Sequence, residues 1–241
     1  MPAGRIFQDC SITLGDSVSL TEPASHYLLR VLRAKVGESI IVFNGQGGEY
    51  QAVITSVSKR SVSVEFKNFH DVNLESPVQI ELGQALLRGD KMDWVIQKSV
   101  ELGVNTITPL LTDRITIKLQ ADRLAKRLSH WRSIAISACE QSGRCVVPII
   151  NAPVNITDWM FASKIPTFIA SPRAKDALPK SLTCQRARIV IGPEGGLSSN
   201  DLEQCHTDFC YPFSMGPRIL RTETAAIAAL TMMQVQWGGL S

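Results

Sequence analysis

The stretch from Arg188 to Leu230 decides the fold: RIVIGPEGGLSSNDLE over 188–203 and, after a short interval, YPFSMGPRILRTETAAIAAL over 211–230. A run of apolar β-formers, Ile189, Val190 and Ile191, breaks into Gly192-Pro193-Glu194-Gly195-Gly196 and restarts as a helix, with Ser198 as cap and Asp201 three residues on. A second strand, loop and helix follow. Two glycine-bearing loops therefore leave successive strand ends, where an open α/β sheet binds its ligands. Glycine there lets the backbone approach a flat ligand closely. Phosphate is not what these loops are built to hold. A P-loop needs Lys-Ser/Thr after its glycines and the dinucleotide fingerprint needs G-x-G-x-x-G, and the stretch has neither.

Upstream of it, strands alternate with helices. Ile80–Leu87 reads as a strand. Asp90 then caps a helix through Leu102, with Met92, Val95, Ile96 and Val100 facing inward and Gly103 as its stop. Thr106–Leu111 is the next strand. A helix from Ala121 to about Cys139 carries Leu124, Leu128, Trp131 and Ala135 at helical spacing and ends in Gln141-Ser142-Gly143-Arg144. Strands at Val146–Ile150 and Thr167–Ala170 flank a short helix around Trp159. The alternation implies an α/β fold with a largely parallel open sheet and helices on both faces. A long connection at 171–186, rich in Pro and Lys/Arg, has the length of a functional or mobile loop. The final helix, Thr224–Trp237, is apolar almost all round, so it is buried in the domain or against a partner.

Residues 1–75 read differently, as a β-rich module. Short apolar runs at Ser39–Phe43, Glu49–Val57 and Ser61–Phe66 are joined by glycine-rich turns, Asn44-Gly45 and Gly47-Gly48 among them. One helix, Pro23–Ala34, puts Tyr27, Leu28, Val31 and Leu32 on an apolar stripe and Arg30 and Arg33 on the opposite face. The module holds seven Lys and Arg against eight Asp and Glu, so any nucleic-acid contact must come from a local cluster: Arg5, Arg30, Arg33 and Lys35. Asn73–Pro77 is a linker.

Composition narrows the class. The chain has 241 residues, 44% hydrophobic and 20% charged, which is ordinary for a soluble globular protein. No apolar run has the length of a membrane span, and the N-terminal MPAGRIFQD has no signal-peptide core, so a cytoplasmic protein is expected. The six cysteines are scattered without a C-x-x-C pair, which argues against zinc and against a disulfide framework. A net charge of +3 permits a nucleic-acid partner without demanding one.

Four motifs in order, LLRGDKMDWVIQKSVELG (86–103), EQSGR (140–144), GPEGG (192–196) and MGPRILRTETA (215–225), together with VLRAKVGE and VFNGQGGEY in the first module, carry a family resemblance. The chain resembles the bacterial 16S ribosomal RNA (uridine N3) methyltransferases of the SPOUT superfamily, over its whole length. That resemblance implies a PUA-like RNA-binding domain over 1–75. It further implies a SPOUT methyltransferase domain over 76–241, whose C-terminal segment threads a trefoil knot. It implies S-adenosylmethionine as cofactor, small-subunit ribosomal RNA within the assembled subunit as partner, and a homodimer. Cofactor contacts carry over onto the strand end Ile169, Ala170 and Ser171, onto Gly192, Pro193, Glu194, Gly195 and Gly196, and onto Met215, Gly216, Ile219 and Leu220.

Methylating uridine at N3 requires loss of the proton of a weakly acidic imide. An enzyme supplies a positioned base, or places cations where the anion's charge develops. The candidates are Arg144, Arg221, Glu140 and Glu223. An acid such as Glu223 in a helix's first turn is favoured by the helix dipole whatever its function, whereas a cation such as Arg221 at the same end is not, which points to a functional or ion-pairing role. None of the four histidines sits in a motif. Two other readings stay open: a catalytically silent RNA-binding assembly factor with the same fold, and a SPOUT methyltransferase acting on transfer RNA.

Overall fold

A computed structural model describes residues 4–114, 121–179, 183–205 and 207–240; His206 and part of the 171–186 connection lie outside the described residues. The chain divides into two compact units. One comprises the residues up to Glu75 together with Cys139–Val147, and the other Ser76–Ala138 with the chain from Pro148 onward. A contiguous split at 75/76 leaves out the second piece of the first unit.

The first unit is a five-stranded sheet of β1 (Arg5–Phe7), β2 (Ser17–Ser19), β3 (Ser39–Phe43), β4 (Glu49–Val57) and β5 (Val62–His70), ordered β1-β3-β4-β5-β2. β1 runs parallel to β3, and the remaining pairs are antiparallel. Alternate residues of the strands, Ile40 and Val42, Ala52 and Ile54, Val62, Val64 and Phe66, form one buried cluster with Ile6 and Leu28. Gly48, in the β3–β4 turn, has φ 64°, and a Cβ there would lie 2.3 Å from the Phe69 ring, so the turn requires glycine. The helix departs from expectation. α1 (Glu22–Tyr27) passes into a π-helical turn, Leu28–Leu32, which ends at Arg33 with φ 52°. Ala24, Ser25, Leu28 and Ala34 are buried while Tyr27 and Val31 of the expected apolar stripe face solvent, and beyond Leu28 the wider turn shifts the phase on which the stripe at Val31 depended.

The second unit is an all-parallel sheet. Its elements in order are β6 (Gln79–Ala85), α2 (Asp90–Glu101), β7 (Thr106–Leu111), α3 (Ala121–Ser142), β8 (Ile149–Ile150), β9 (Val154–Asn155), α4 (Ile156–Phe161), β10 (Thr167–Ala170), β11 (Arg186–Ile191), α5 (Ser199–Gln204), β12 (Cys210–Phe213) and α6 (Thr222–Met233). The strand order is β12-β10-β11-β6-β7-β8, with β9 also paired to β7. From β6 the chain builds outward through β7 to β8, then crosses to the other side, where β11 inserts between β6 and β10. That reversal is a topological switch point, and the crevice beyond the strand ends there is the expected ligand site. Asp90 is the first residue of α2 and not its cap; Gly89, with φ 59°, holds the cap position and makes no side-chain bond. The expected strand at Val146–Ile150 contracts to Ile149–Ile150, because Cys145–Val147 pack with the first unit.

One charge lies inside this sheet. The Arg188 guanidinium stacks 3.4 Å over the Trp159 ring and donates to the carbonyls of Trp159 and, at 3.2 Å, Met160, closing the last turn of α4. Burial pulls its pKa down to about 10, against the opposing pull of Glu81.

Candidate functional site

The carboxyl ends of β10, β11 and β12 open onto a cavity of about 470 Å³, within the roughly 300–1,000 Å³ of small-molecule sites. Ala170 and Ser171 leave β10 along one wall. The segment from Ile191 to Leu197 leaves β11, and Met215 to Leu220 closes the third side beneath Thr222 and Ala225 of α6. The β11 loop is folded back on itself: a Cβ on Gly192 would meet the backbone nitrogen of Leu197 at 3.2 Å. Gly196 turns with φ 70°, its N–H donating to the Pro193 carbonyl at 2.8 Å. Ser198 and Asp201 then form a reciprocal capping box that starts α5. In the facing loop Gly216 has φ 96°, and the Ser214 hydroxyl donates to its carbonyl at 3.3 Å.

A buried hydrogen-bond chain fixes these parts to each other. Gln84, fully buried at the end of β6, donates through Nε2 to Thr222 Oγ1 at 3.2 Å, and Thr222 in turn donates to the Gly192 carbonyl at 2.6 Å. The first turn of α6 is thereby held against the β11 loop, and Arg221, at the α6 cap position, is held at the cavity edge. The cavity walls are mainly apolar, with Ile191, Pro193, Leu197, Ile219, Leu220 and Ala225 among them. Four arginines line it, Arg114, Arg173, Arg218 and Arg221, against one acid, Glu194. Arg114 donates to the Gly195 carbonyl. Glu194 accepts from Lys91 Nζ at 2.8 Å, and that hydrogen bond holds its carboxyl below the usual carboxylate range.

Of the residues the sequence singles out for a cofactor, Ala170, Ser171, Gly192, Pro193, Glu194, Gly195, Gly196, Met215, Gly216, Ile219 and Leu220 all line this cavity. Ile169 does not. Strand alternation turns its side chain the other way, into a core cluster with Trp159, Met160 and Val190.

The four catalytic candidates separate. Arg221 lines the cavity. Glu223, the second residue of α6, does not; its Oε2 is sealed from solvent, without a hydrogen-bond partner among the described residues, 3.9 Å from Lys91 Nζ. Glu140 and Arg144 belong to the first unit and do not line the cavity. Arg144 is 3% exposed and grips the Glu75 carboxylate, with Nε at 3.1 Å and Nη2 closer still. Glu140 accepts from the Phe7 backbone N–H at 3.0 Å, and burial pushes its carboxyl above the usual range.

The RNA candidates also divide. Arg5 is no free surface cation: it contacts Glu49 at 3.2 Å, the Cys139 carbonyl at 2.9 Å and the Cys145 sulfur at 3.1 Å, and stacks 4.1 Å over Phe43. Arg5, Glu140 and Arg144 together bind the 139–147 segment into the first unit. Arg30, Arg33 and Lys35 are exposed. Among the described histidines, His130 bonds Asp93 at 2.7 Å and none lines the cavity. Sequence reading missed Arg114 and Arg173, and covered Arg218 only as part of the Met215–Leu220 stretch; all three lie in loops without periodicity. A signal was available for two of them, because Pro172-Arg173 and Pro217-Arg218 repeat the same dipeptide just beyond two strand ends.

Comparison with known proteins adds to this geometry. An RNA methyltransferase domain family matches residues 74–234, and an RNA methyltransferase PUA domain family matches residues 20–67. The chain is 36% identical over 242 residues, 98% of each protein, to ribosomal RNA small subunit methyltransferase E of Buchnera aphidicola subsp. Schizaphis graminum. It is 32% identical, over 90% of each protein, to the same-named protein of Bacillus subtilis. Among solved structures, the ribosomal RNA small subunit methyltransferase E of Neisseria gonorrhoeae bound to S-adenosyl methionine superposes with a TM-score of 0.91 at 33% identity over 99% of each chain. A Legionella pneumophila protein solved with bound cofactor SAM superposes with a TM-score of 0.93 at 38% identity over 98% of each chain.

Proposed function

The chain belongs to the RNA methyltransferase family, with that family's PUA domain ahead of its methyltransferase domain, and on that premise we propose that it transfers a methyl group from S-adenosylmethionine to N3 of a uridine in small-subunit (16S) ribosomal RNA. The observation that carries this reading is the cavity: two glycine loops at the strand ends on either side of β10, apolar walls, and Arg221 on the edge. The cavity suits the cofactor. S-adenosylmethionine has no phosphate, and its flat adenosine needs shape, apolar contact and close backbone more than positive charge. Gly192 and Gly196 leave room where a Cβ would crowd the loop or strain it. In this reading the strand end at Ala170, the loop Gly192–Gly196, and Met215, Gly216 and Leu220 hold it.

Bound there, S-adenosylmethionine supplies an electrophilic methyl group on a cationic sulfur. The chain's own residues exclude water, orient the base and manage one proton. The N3–H bond breaks and the N3–C bond forms as the S–C bond breaks, so the positive charge on sulfur is neutralised and one proton is released. Arg221 stabilises the imide's negative charge as the proton leaves. Glu223 is the rival acceptor, favoured by an Oε2 that makes no hydrogen bond among the described residues. Arg30, Arg33 and Lys35 of the PUA domain contact phosphates of the same RNA.

A radiolabelled methyl-transfer assay tests the reading. Small subunits from cells lacking the activity should acquire label as 3-methyluridine. Occupancy without product would favour a silent assembly factor, and label on transfer RNA alone would favour the other SPOUT reading. The proposal includes a homodimer, supported by the second face of α6, where Ile227, Ala228 and Met232 stay half-exposed beside a buried face. Sedimentation giving a monomer at micromolar concentration would remove it. The proposal also makes the protein cytoplasmic, where small subunits mature. Among the described residues no helix is long and apolar enough to cross a membrane, and recovery of the native protein in membrane fractions would count against this location.

A further inference from the structure

The arginines around the cavity exceed what the cofactor can use. Four of them line it, and the one acid, Glu194, is already paired with Lys91. S-adenosylmethionine carries a sulfonium and an ammonium against a single carboxylate, so one arginine at most finds an anion on it and the others are repelled. Arg173 and Arg218 are exposed, and among the described residues their guanidiniums make no hydrogen bond or ion pair. They stand on different loops, one after β10 and one after β12, and converge on the same opening. Between Arg218 and Leu220, Ile219 holds its side chain 87% exposed on that rim.

We propose that Arg173 and Arg218 grip the phosphates flanking the target nucleotide, and that Ile219 is the apolar surface on which its unstacked base lies. Convergent free cations on two loops suit a polyanion that passes across the opening. A base that must reach a reactive methyl group has left its stack and needs a face to rest on. The target strand is thus single-stranded or bulged where it crosses the rim, and the catalytic unit carries part of the RNA affinity itself. This inference rests on the RNA methyltransferase reading above.

The test is binding of a 16S RNA fragment across a salt series, with cofactor affinity measured by calorimetry on the same proteins. Single-stranded phosphate contacts each contribute about 0.7 to the slope of log affinity against log salt, so the double variant Arg173→Gln/Arg218→Gln should lose about 1.4. Its S-adenosylmethionine affinity should stay within about twofold of wild type, because phosphates and not the cofactor carboxylate are the partners. Ile219→Ala should weaken RNA binding at every salt concentration without altering the slope. An unchanged slope with weakened cofactor binding would assign the arginines to the cofactor carboxylate and overturn the proposal. An unchanged slope in a double variant that still binds cofactor overturns it too, the rim being merely solvated. A wild-type protein that binds no small-subunit RNA overturns the rim together with the functional reading; one that methylates RNA while the slope stays put overturns the rim alone.

Discussion

Arg144 and Arg221 belong to two motifs of equal promise in the sequence, yet their surroundings are opposite. Around the 139–147 segment of the first unit, each positive charge has an internal answer: Arg144 on Glu75, Arg5 on Glu49 and on the Cys139 carbonyl. At the cavity edge of the second unit, Arg173, Arg218 and Arg221 make no hydrogen bond or ion pair among the described residues. Arginine in a loop motif is therefore not one signal. A cation with its partners already in the chain is part of the frame, and a cation left open at a cavity awaits something from outside.

The sharpest way to break that contrast is to remove one arginine from each region. Arg144→Ala leaves the half-buried Glu75 carboxylate without its buried partner, which costs about 3 kcal/mol of stability, the low end for a buried pair because Glu75 keeps some contact with water. Its thermal midpoint should drop steeply while cofactor binding, measured below that midpoint, persists. Arg221→Ala should leave the midpoint nearly unchanged and slow single-turnover methyl transfer about ten- to a hundredfold, from a charge-assisted contact worth roughly 1.5–3 kcal/mol. Arg221→Lys should fall between, because it keeps the charge and loses the planar fork. An Arg221→Ala enzyme that turns over at the wild-type rate would transfer the role to Glu223, for which Glu223→Gln is then the deciding variant.

Glycines allow the same comparison with a smaller effect. Gly143, in the EQSGR segment, has φ 86°, and Gly196, in the cavity loop, has φ 70°. A β-branched residue in that region is strained by about 1–3 kcal/mol. Gly196→Val should therefore weaken S-adenosylmethionine binding by about tenfold or more, whereas Gly143→Val should lower the thermal midpoint and leave cofactor affinity intact. Calorimetry on both variants decides it; equal losses of cofactor affinity would erase the distinction between frame and site.

A milder probe uses pH. Burial holds the Glu140 carboxyl above its ordinary value, so the folded state favours the protonated form. The stability this contributes is fully present below the unfolded pKa and is lost as pH rises through the raised one. Wild type should accordingly lose stability from the ordinary carboxylate range upward into the raised one. Glu140→Gln, whose amide oxygen still accepts from Phe7, should lack that decline and retain methyl transfer. A dead Glu140→Gln enzyme with normal folding would return Glu140 to the chemistry.

The smallest expected change concerns the PUA domain. Arg30→Ala/Arg33→Ala should lower the RNA salt slope by about 1.4 and leave cofactor affinity unaltered. Combined with the rim double variant the two losses should add, as expected for separate grips on one strand.

How much of this was legible in the sequence follows from the range of each interaction. Ile189–Ile191 and the glycines after them form a local pattern, so the strand, the loop and the cavity they line could be read directly. The last helix declared itself by having no polar face. Strands β1 and β2 could not be read, because three residues each are too few to alternate. The π-helical turn at Leu28–Leu32 breaks the 3.6-residue stripe that placed Val31 inward, because the stripe assumes regular geometry. Contacts that assign the 139–147 segment to the first unit join residues 69 and 134 positions apart, Arg144 to Glu75 and Arg5 to Cys139. No local pattern encodes such pairings. For the rim, the repeated Pro-Arg dipeptide was visible, but that the two loops converge is a property of the strand order.

Methylation of small-subunit ribosomal RNA at the cavity formed by the ends of β10, β11 and β12 is decided by nucleoside mass spectrometry of 16S RNA from a strain deleted for the protein, complemented with wild type or with Gly196→Val expressed at equal level. 3-Methyluridine should be absent from the deletion, return with wild type and be absent or sharply reduced with the variant. Full 3-methyluridine in the deletion strain, or equal restoration by wild type and Gly196→Val, would contradict it.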